Sequence, residues 1–167
     1  FHGTPSGIDN TVINYEQPVF FQDKTNFIKL NKPLDFVIAS TGNRPDTKEI
    51  VQEVRKKYEE NKKKYQNIIE DIGLIAMKAK KSLELGNLEK IGSLMNQNHE
   101  LLKELGVSSA KLNLFCEICR QNGAYGAKLS GAGKGGNMIA LVDGKTKEKI
   151  IEELSILSNN VFYTRVI

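Results

Sequence analysis

Only two of the 167 residues are cysteine, two are histidine and four are proline. Cys116 and Cys119 cannot build a disulfide framework, and their scarcity fits a reducing, cytosolic setting. With no second cysteine pair and so few imidazoles, a structural zinc site is not expected either. No apolar run approaches the roughly 20 residues that a membrane helix needs. An excess of charge of one sign is also missing. The 24 Lys and Arg stand against 20 Asp and Glu, a net +4, and the lysines are spread along the chain, which argues against a nucleic-acid partner. The phosphate-loop pattern G-x-x-x-x-G-K-[ST] does not occur, and no βαβ unit surrounds a G-x-G-x-x-G.

What the chain does have is an ordinary globular composition, 40% hydrophobic and 26% charged, in a length that suits one domain with a real core. It also has one unusual stretch. From Lys128 to Val142, glycine stands at 131, 133, 135 and 136, just before the apolar run Met138 to Val142. Glycines that dense let the backbone take positive φ and bring N–H groups close to a ligand or a neighbouring loop. Spacing leaves two readings open, a plain hairpin connection and a loop packed beside a phosphate site.

Hydrophobic periodicity divides the rest. Phe1 to Ile13 reads as a Gly/Pro-rich loop entering a helix, with Ile8, Val12 and Tyr15 at helical spacing. Val19 to Phe21 and Phe27 to Leu30 read as a hairpin, and Asp35 to Ser40 as a central strand. Asp46 with Glu49 forms a capping-box-like start to a helix that carries Ile50, Val51, Val54 and Tyr58. A second helix presents Ile68, Ile69, Ile72, Ile75, Ala76, Ala79 and Leu83 on one side and stops at Gly86. Asn87 caps a third, whose inward stripe includes Ile91, Leu94, Met95 and Leu101, with His99 beside it. Ser108 starts a fourth, where Leu112, Phe115, Cys116 and Cys119 share a stripe, so the two thiols read as small core residues. Thr146 caps a helix with Ile150 and Leu154, and Val161 to Ile167 is a last strand. From Asp35 onward this is the βαββαβ order of a ferredoxin-like fold, with extra helices in the first crossover. The expected class is α+β, an antiparallel sheet covered by helices.

The segment His2-Gly3-Thr4-Pro5-Ser6-Gly7-Ile8-Asp9-Asn10, with Gly131-Ala132-Gly133-Lys134-Gly135-Gly136, resembles the GHMP kinases, and within them the mevalonate kinase group. Asn98-His99-Glu100-Leu101-Leu102 through Leu105-Gly106-Val107-Ser108 is similar to that group's N-H-x-L-L…L-G-V-S. Gly123 to Ser130 is similar to the lead-in to its third motif. The resemblance implies that residues 1–33 are a loop, helix and hairpin left from an N-terminal, ribosomal-S5-like domain, and that 34–167 form the C-terminal domain. It implies that Asp9 is the catalytic carboxylate, accepting the proton of the substrate hydroxyl during phosphoryl transfer from ATP to mevalonate. A carboxylate in reach of an alcohol suits that chemistry, because the protein mainly positions groups and stabilises charge. Without the resemblance, Asp9 reads more readily as a helix cap than as a catalytic group.

The resemblance further implies a substrate wall from His2, Gly3, Ser6, Arg44, Thr47 and Ser108. A basic side chain at Arg44 can pair with a carboxylate or phosphate, or simply stand in water. Ser130, Gly131, Ala132, Gly133 and Lys134 would support the nucleotide loop. Lys134 stands where the motif commonly has glycine, and can reach a phosphate or solvent. The family's P-x-x-x-G-L-G-S-S-A-type ATP loop is not among these residues. No metal ligand is therefore assigned to this chain, and Mg²⁺ and most ATP contacts are expected from a missing N-terminal part. The expectation is a cytoplasmic, isoprenoid-precursor kinase that is inactive as this piece alone, with no nucleic-acid or membrane partner and room for a homodimer. The alternatives are a related alcohol such as phosphomevalonate, or a free-standing, non-catalytic domain binding a metabolite or a partner chain.

Overall fold

The computed structural model describes residues 17–21, 25–44 and 46–167. A short hairpin, β1 (Val19–Phe21) and β2 (Thr25–Phe27), leads into β3 (Leu34–Ser40). Helices α1 (Thr47–Glu60), α2 (Lys62–Leu85), α3 (Leu88–Glu104) and α4 (Ala110–Gln121) follow. The chain closes with β4 (Gly126–Ser130), β5 (Asn137–Val142), α5 (Lys147–Ser155) and β6 (Val161–Val166). The loop and helix expected over Phe1 to Tyr15 lie outside the described residues.

β3 is central because its residues are apolar on both faces, and it gains a partner along each edge. The sheet order is β4-β5-β3-β6, with every neighbouring pair antiparallel. That is the ferredoxin-like order expected of the βαββαβ sequence. On one face, Val37, Ala39, Ala127, Leu129, Met138, Ala140 and Val142 pack against Leu112, Phe115, Cys116 and Cys119 of α4 and Ile150 and Leu154 of α5. These alternate along their strands, as a half-covered sheet requires. A smaller cluster of Leu34, Ile91, Met95 and Leu141 sits on the other face, joined by Leu83 at the end of α2.

β4 is an edge strand whose outward N–H groups need acceptors. α3 supplies them. The Asn96 Oδ1 accepts from the Ala127 N–H at 2.9 Å, and the His99 Nδ1 from the Leu129 N–H at 3.3 Å. This is possible because two glycines bring the backbones into contact. A Cβ on Gly92 would lie 2.1 Å from the Tyr125 oxygen, and one on Gly126 would lie 2.0 Å from the Gly92 oxygen. On the opposite side, Asp35 of β3 takes Arg165 and Tyr163 of β6. The Arg165 guanidinium holds the Asp35 carboxyl below its ordinary range.

Five expectations change. The second hairpin strand is Thr25–Phe27 rather than Phe27 to Leu30, because Ile28 turns inward and is buried. The stripe on α2 is narrower than expected: Ile68 is buried and Ile72, Ile75, Ala79 and Leu83 are half-buried, while Ile69 and Ala76 face solvent. The helix runs beside α3 and reaches the sheet-side cluster only through Leu83, so its apolar side is covered in part. α4 begins at Ala110 and is capped by Ser109, whose oxygen accepts from the Leu112 N–H; Ser108 bonds elsewhere. Asp46 caps α1 through the Lys48 N–H without a reciprocal bond from Glu49. Thr146 gives α5 no side-chain cap, since its hydroxyl is engaged with Asp143.

Candidate functional site

Ser40, Asn137 and Ser130 stand side by side at one end of the sheet. From there the chain leaves in two loops, 41–46 before α1 and 131–136 between β4 and β5. A third loop, 105–109 between α3 and α4, meets them. The Gly136 N–H donates to the Asn43 oxygen at 2.9 Å and the Thr41 N–H to the Gly136 oxygen at 2.8 Å. The Lys134 N–H donates to the Val107 oxygen at 2.6 Å. Gly133, at φ +96°, passes so close that a Cβ would sit 2.0 Å from that same oxygen. The glycine stretch is therefore a loop clamped between two others, more than a hairpin connection.

This clamp brings together most of the residues singled out above. Arg44 lies in the first loop, exposed and without a hydrogen bond or ion pair among the described residues. Thr47 opens α1 and is half-buried. Ser108, half-buried, donates its hydroxyl proton to the Asn113 Oδ1 at 2.7 Å. Lys134 adopts positive φ, +53°, and pairs with Glu53 of α1. The ammonium beside it holds the Glu53 carboxyl below its ordinary range. His2, Gly3, Ser6 and Asp9 lie outside the described residues.

The chemistry at this end suits an anion. The N–H groups of Gly131, Ala132, Gly133 and Gly135 have no protein acceptor among the described residues, and Gly131 faces open space. α1 and α4 both begin here, so their positive N-terminal ends add to the field. Lys111, in the first turn of α4, reaches the Thr41 oxygen at 3.0 Å and lies over the Phe115 ring. Among the described residues, no three His, Cys, Asp or Glu side chains converge to hold a metal ion.

Sequence reasoning missed several of these residues. Thr41 is buried and organises the first loop by accepting the Asn43 N–H at its hydroxyl. Glu53, Lys111 and Asn113 sit on polar faces of helices, where spacing cannot distinguish a loop anchor from a solvated side chain. His99 is fully covered, and burial pushes its imidazole below the ordinary histidine range. Its place beside the inward stripe was legible, but not its bonds to Leu129 and Asn113. Burial also pushes the Lys128 amine down, on the strand leading into the glycine loop. The two cysteines are fully covered in the α4 stripe.

The model of the family described as "GHMP kinases C terminal" matches residues 79–159. The mevalonate kinase of Pyrococcus abyssi is 38% identical over 98% of this chain and 50% of its own length. That of Pyrococcus furiosus is 42% identical over 87% of this chain and 45% of its own. Among solved structures, the L. major mevalonate kinase in complex with R-mevalonate matches with a TM-score of 0.92 and 30% identity, over 99% of this chain and 54% of that one. The chain thus spans about half the length of the curated relatives it matches.

Proposed function

The chain belongs to the GHMP kinases, and from that membership we propose that it forms the C-terminal half of an ATP-dependent kinase that phosphorylates mevalonate. The observation that carries this is the clamp of three loops, built on a fold that superposes closely on a mevalonate kinase structure with R-mevalonate bound. Residues 1–33 are read as the end of an N-terminal domain and 34–167 as the C-terminal one.

In this reading, Asp9 takes the proton of the alcohol as the oxygen attacks phosphorus, leaving the nucleophile oriented and charge-balanced. Arg44, Thr47 and Ser108 face the alcohol, with Arg44 paired to its carboxylate. ATP supplies the phosphoryl group. The residues here fit its anionic end, since Gly131, Ala132 and Gly133 offer unaccepted N–H groups beside two helix N-termini. They hold the shape of the phosphate site more than they grip it, because Lys134 is already tied to Glu53. No Mg²⁺ ligand set is present among the described residues, so no step is routed through the metal from this side. None of the described helices is long and apolar enough to cross a membrane, and the free, buried thiols agree with a cytoplasmic setting.

The test is ATP-dependent phosphorylation by the full-length protein that contains this chain, with mevalonate and phosphomevalonate assayed in parallel. Turnover of mevalonate is expected, and Asp9→Asn should lower kcat by about 10²-fold or more, as loss of a general base does. The 167-residue chain alone should show little or no turnover. Normal turnover by Asp9→Asn would overturn the mechanism. Preference for phosphomevalonate would reassign the substrate, and metabolite binding without any turnover would favour a non-catalytic domain.

A further inference from the structure

Apart from the cysteines, His99 alone among the described residues is both ionisable and completely covered. Each ring nitrogen has a distinct partner. The Leu129 N–H lies 3.3 Å from Nδ1, and since an amide N–H can only donate, Nδ1 carries the lone pair and the proton sits on Nε2. Nε2–H then donates to the Asn113 Oδ1 at 3.1 Å. The second lone pair of that oxygen takes the Ser108 hydroxyl proton at 2.7 Å. Both acceptor positions of one amide oxygen are thereby filled, and the direction of every proton in the series is set.

Two of the three site loops hang from this one imidazole. Leu129 immediately precedes Ser130, where the glycine loop begins. Ser108 immediately follows Val107, whose oxygen receives the Lys134 N–H. We infer that His99 is a positioning residue: through Asn113 it commits the Ser108 proton, so that Ser108 meets the alcohol substrate as a hydrogen-bond acceptor. The inference rests on the kinase reading above and adds the polarity of one contact to it. A serine whose proton is already spent offers only lone pairs, which favours a substrate hydroxyl and disfavours an oxygen that can only accept.

The surroundings keep the ring in this state. Cys116, 3.7 Å from Nδ1, has its thiol pushed up to about 12 by burial, so it stays protonated and puts no anion beside the ring. The charged groups facing His99 are Glu100 and Lys103 from its own helix and Arg120 from α4, and Arg120 opposes imidazolium formation. Lys128 comes from β4 and faces Cys116.

The experiment uses the full-length protein with three single variants, Asn113→Ala, Ser108→Ala and His99→Asn, and the double variant of Asn113 and Ser108. Each single variant should raise KM for the alcohol about tenfold, the worth of one hydrogen bond, while KM for ATP stays within about twofold. The double variant should be no worse than Ser108→Ala alone, because both remove the same contact. A purely structural network would instead lower kcat, raise both KM values and give additive losses. An unchanged alcohol KM in Asn113→Ala, or additive losses, overturns the inference while leaving the kinase reading intact. A wild-type protein that phosphorylates no alcohol overturns both. Should His99→Asn not fold, Asn113→Ala decides, since its half-buried site near the start of a helix accepts alanine. Imidazole nitrogen chemical shifts give a reading independent of turnover: the Nε2–H tautomer is expected near neutral pH, and the Nδ1–H tautomer overturns the inference.

Discussion

A methyl group is enough to separate α3 from β4. Gly126→Ala would place its Cβ against the backbone of Gly92, which cannot retreat without breaking the bonds that the strand N–H groups donate to Asn96 and His99. A loss of about 2–4 kcal/mol is expected in denaturant unfolding, the size of a strongly overpacked site. Gly73 is the control. It lies inside α2, and a Cβ there would have nothing within 4 Å, so Gly73→Ala should stabilise by about 0.5–1 kcal/mol through helix propensity. At the same scale, the Cys119 thiol is pushed up to about 12 by burial, like its neighbour. Both should resist thiol reagents at mildly alkaline pH until the protein is unfolded, and rapid labelling of the folded chain would contradict their burial. The cysteines were legible beforehand because they share a stripe with Leu112 and Phe115. The Gly92–Gly126 contact was not, since each glycine has meaning only beside the other, and they are far apart in the chain.

Elements whose apolar residues repeat with one clear period lie near their expected limits. β3 and β5 carry unbroken apolar runs at 36–39 and 138–142, and α4 repeats at three and four residues. α2 departs from this because periodicity marks an apolar side, whereas burial depends on what lies opposite. The role of α3 was hidden for another reason. Asn96 and His99 serve β4 by hydrogen bonding, which leaves no trace in hydrophobic spacing. Their arrangement gives α3 a pH response. The His99 ring is held below the ordinary histidine pKa, chiefly by burial and then by Arg120. At pH above the unfolded value of about 6.5, both states hold a neutral ring and no penalty arises. As pH falls through that value, the unfolded chain binds a proton that the folded chain refuses, so stability declines until the lower folded pKa is reached. Thermal melts between about pH 7.5 and 5.5 should show this loss, and His99→Asn should show less of it. An equal slope in both proteins would place the titration elsewhere.

For the molecule as a whole, the ferredoxin-like order followed from the succession of elements, and the family followed from the motifs at 2–10, 98–108 and 123–136. The three-loop clamp did not follow from either, because it is made of backbone hydrogen bonds between segments remote in sequence. Sheet order also has a bearing on synthesis. β3 is made before both of its neighbours, β5 and β6, which are separated from it by all of α1 to α4. Until those strands emerge from the ribosome, both edges of this apolar strand stay unzipped, and closing so large a loop delays nucleation. Nascent chains arrested before Asn137 should therefore be cut readily by protease near β3, and chains extended beyond β6 should not. Within this sheet, the strand made last is one of the two that lock the strand made first.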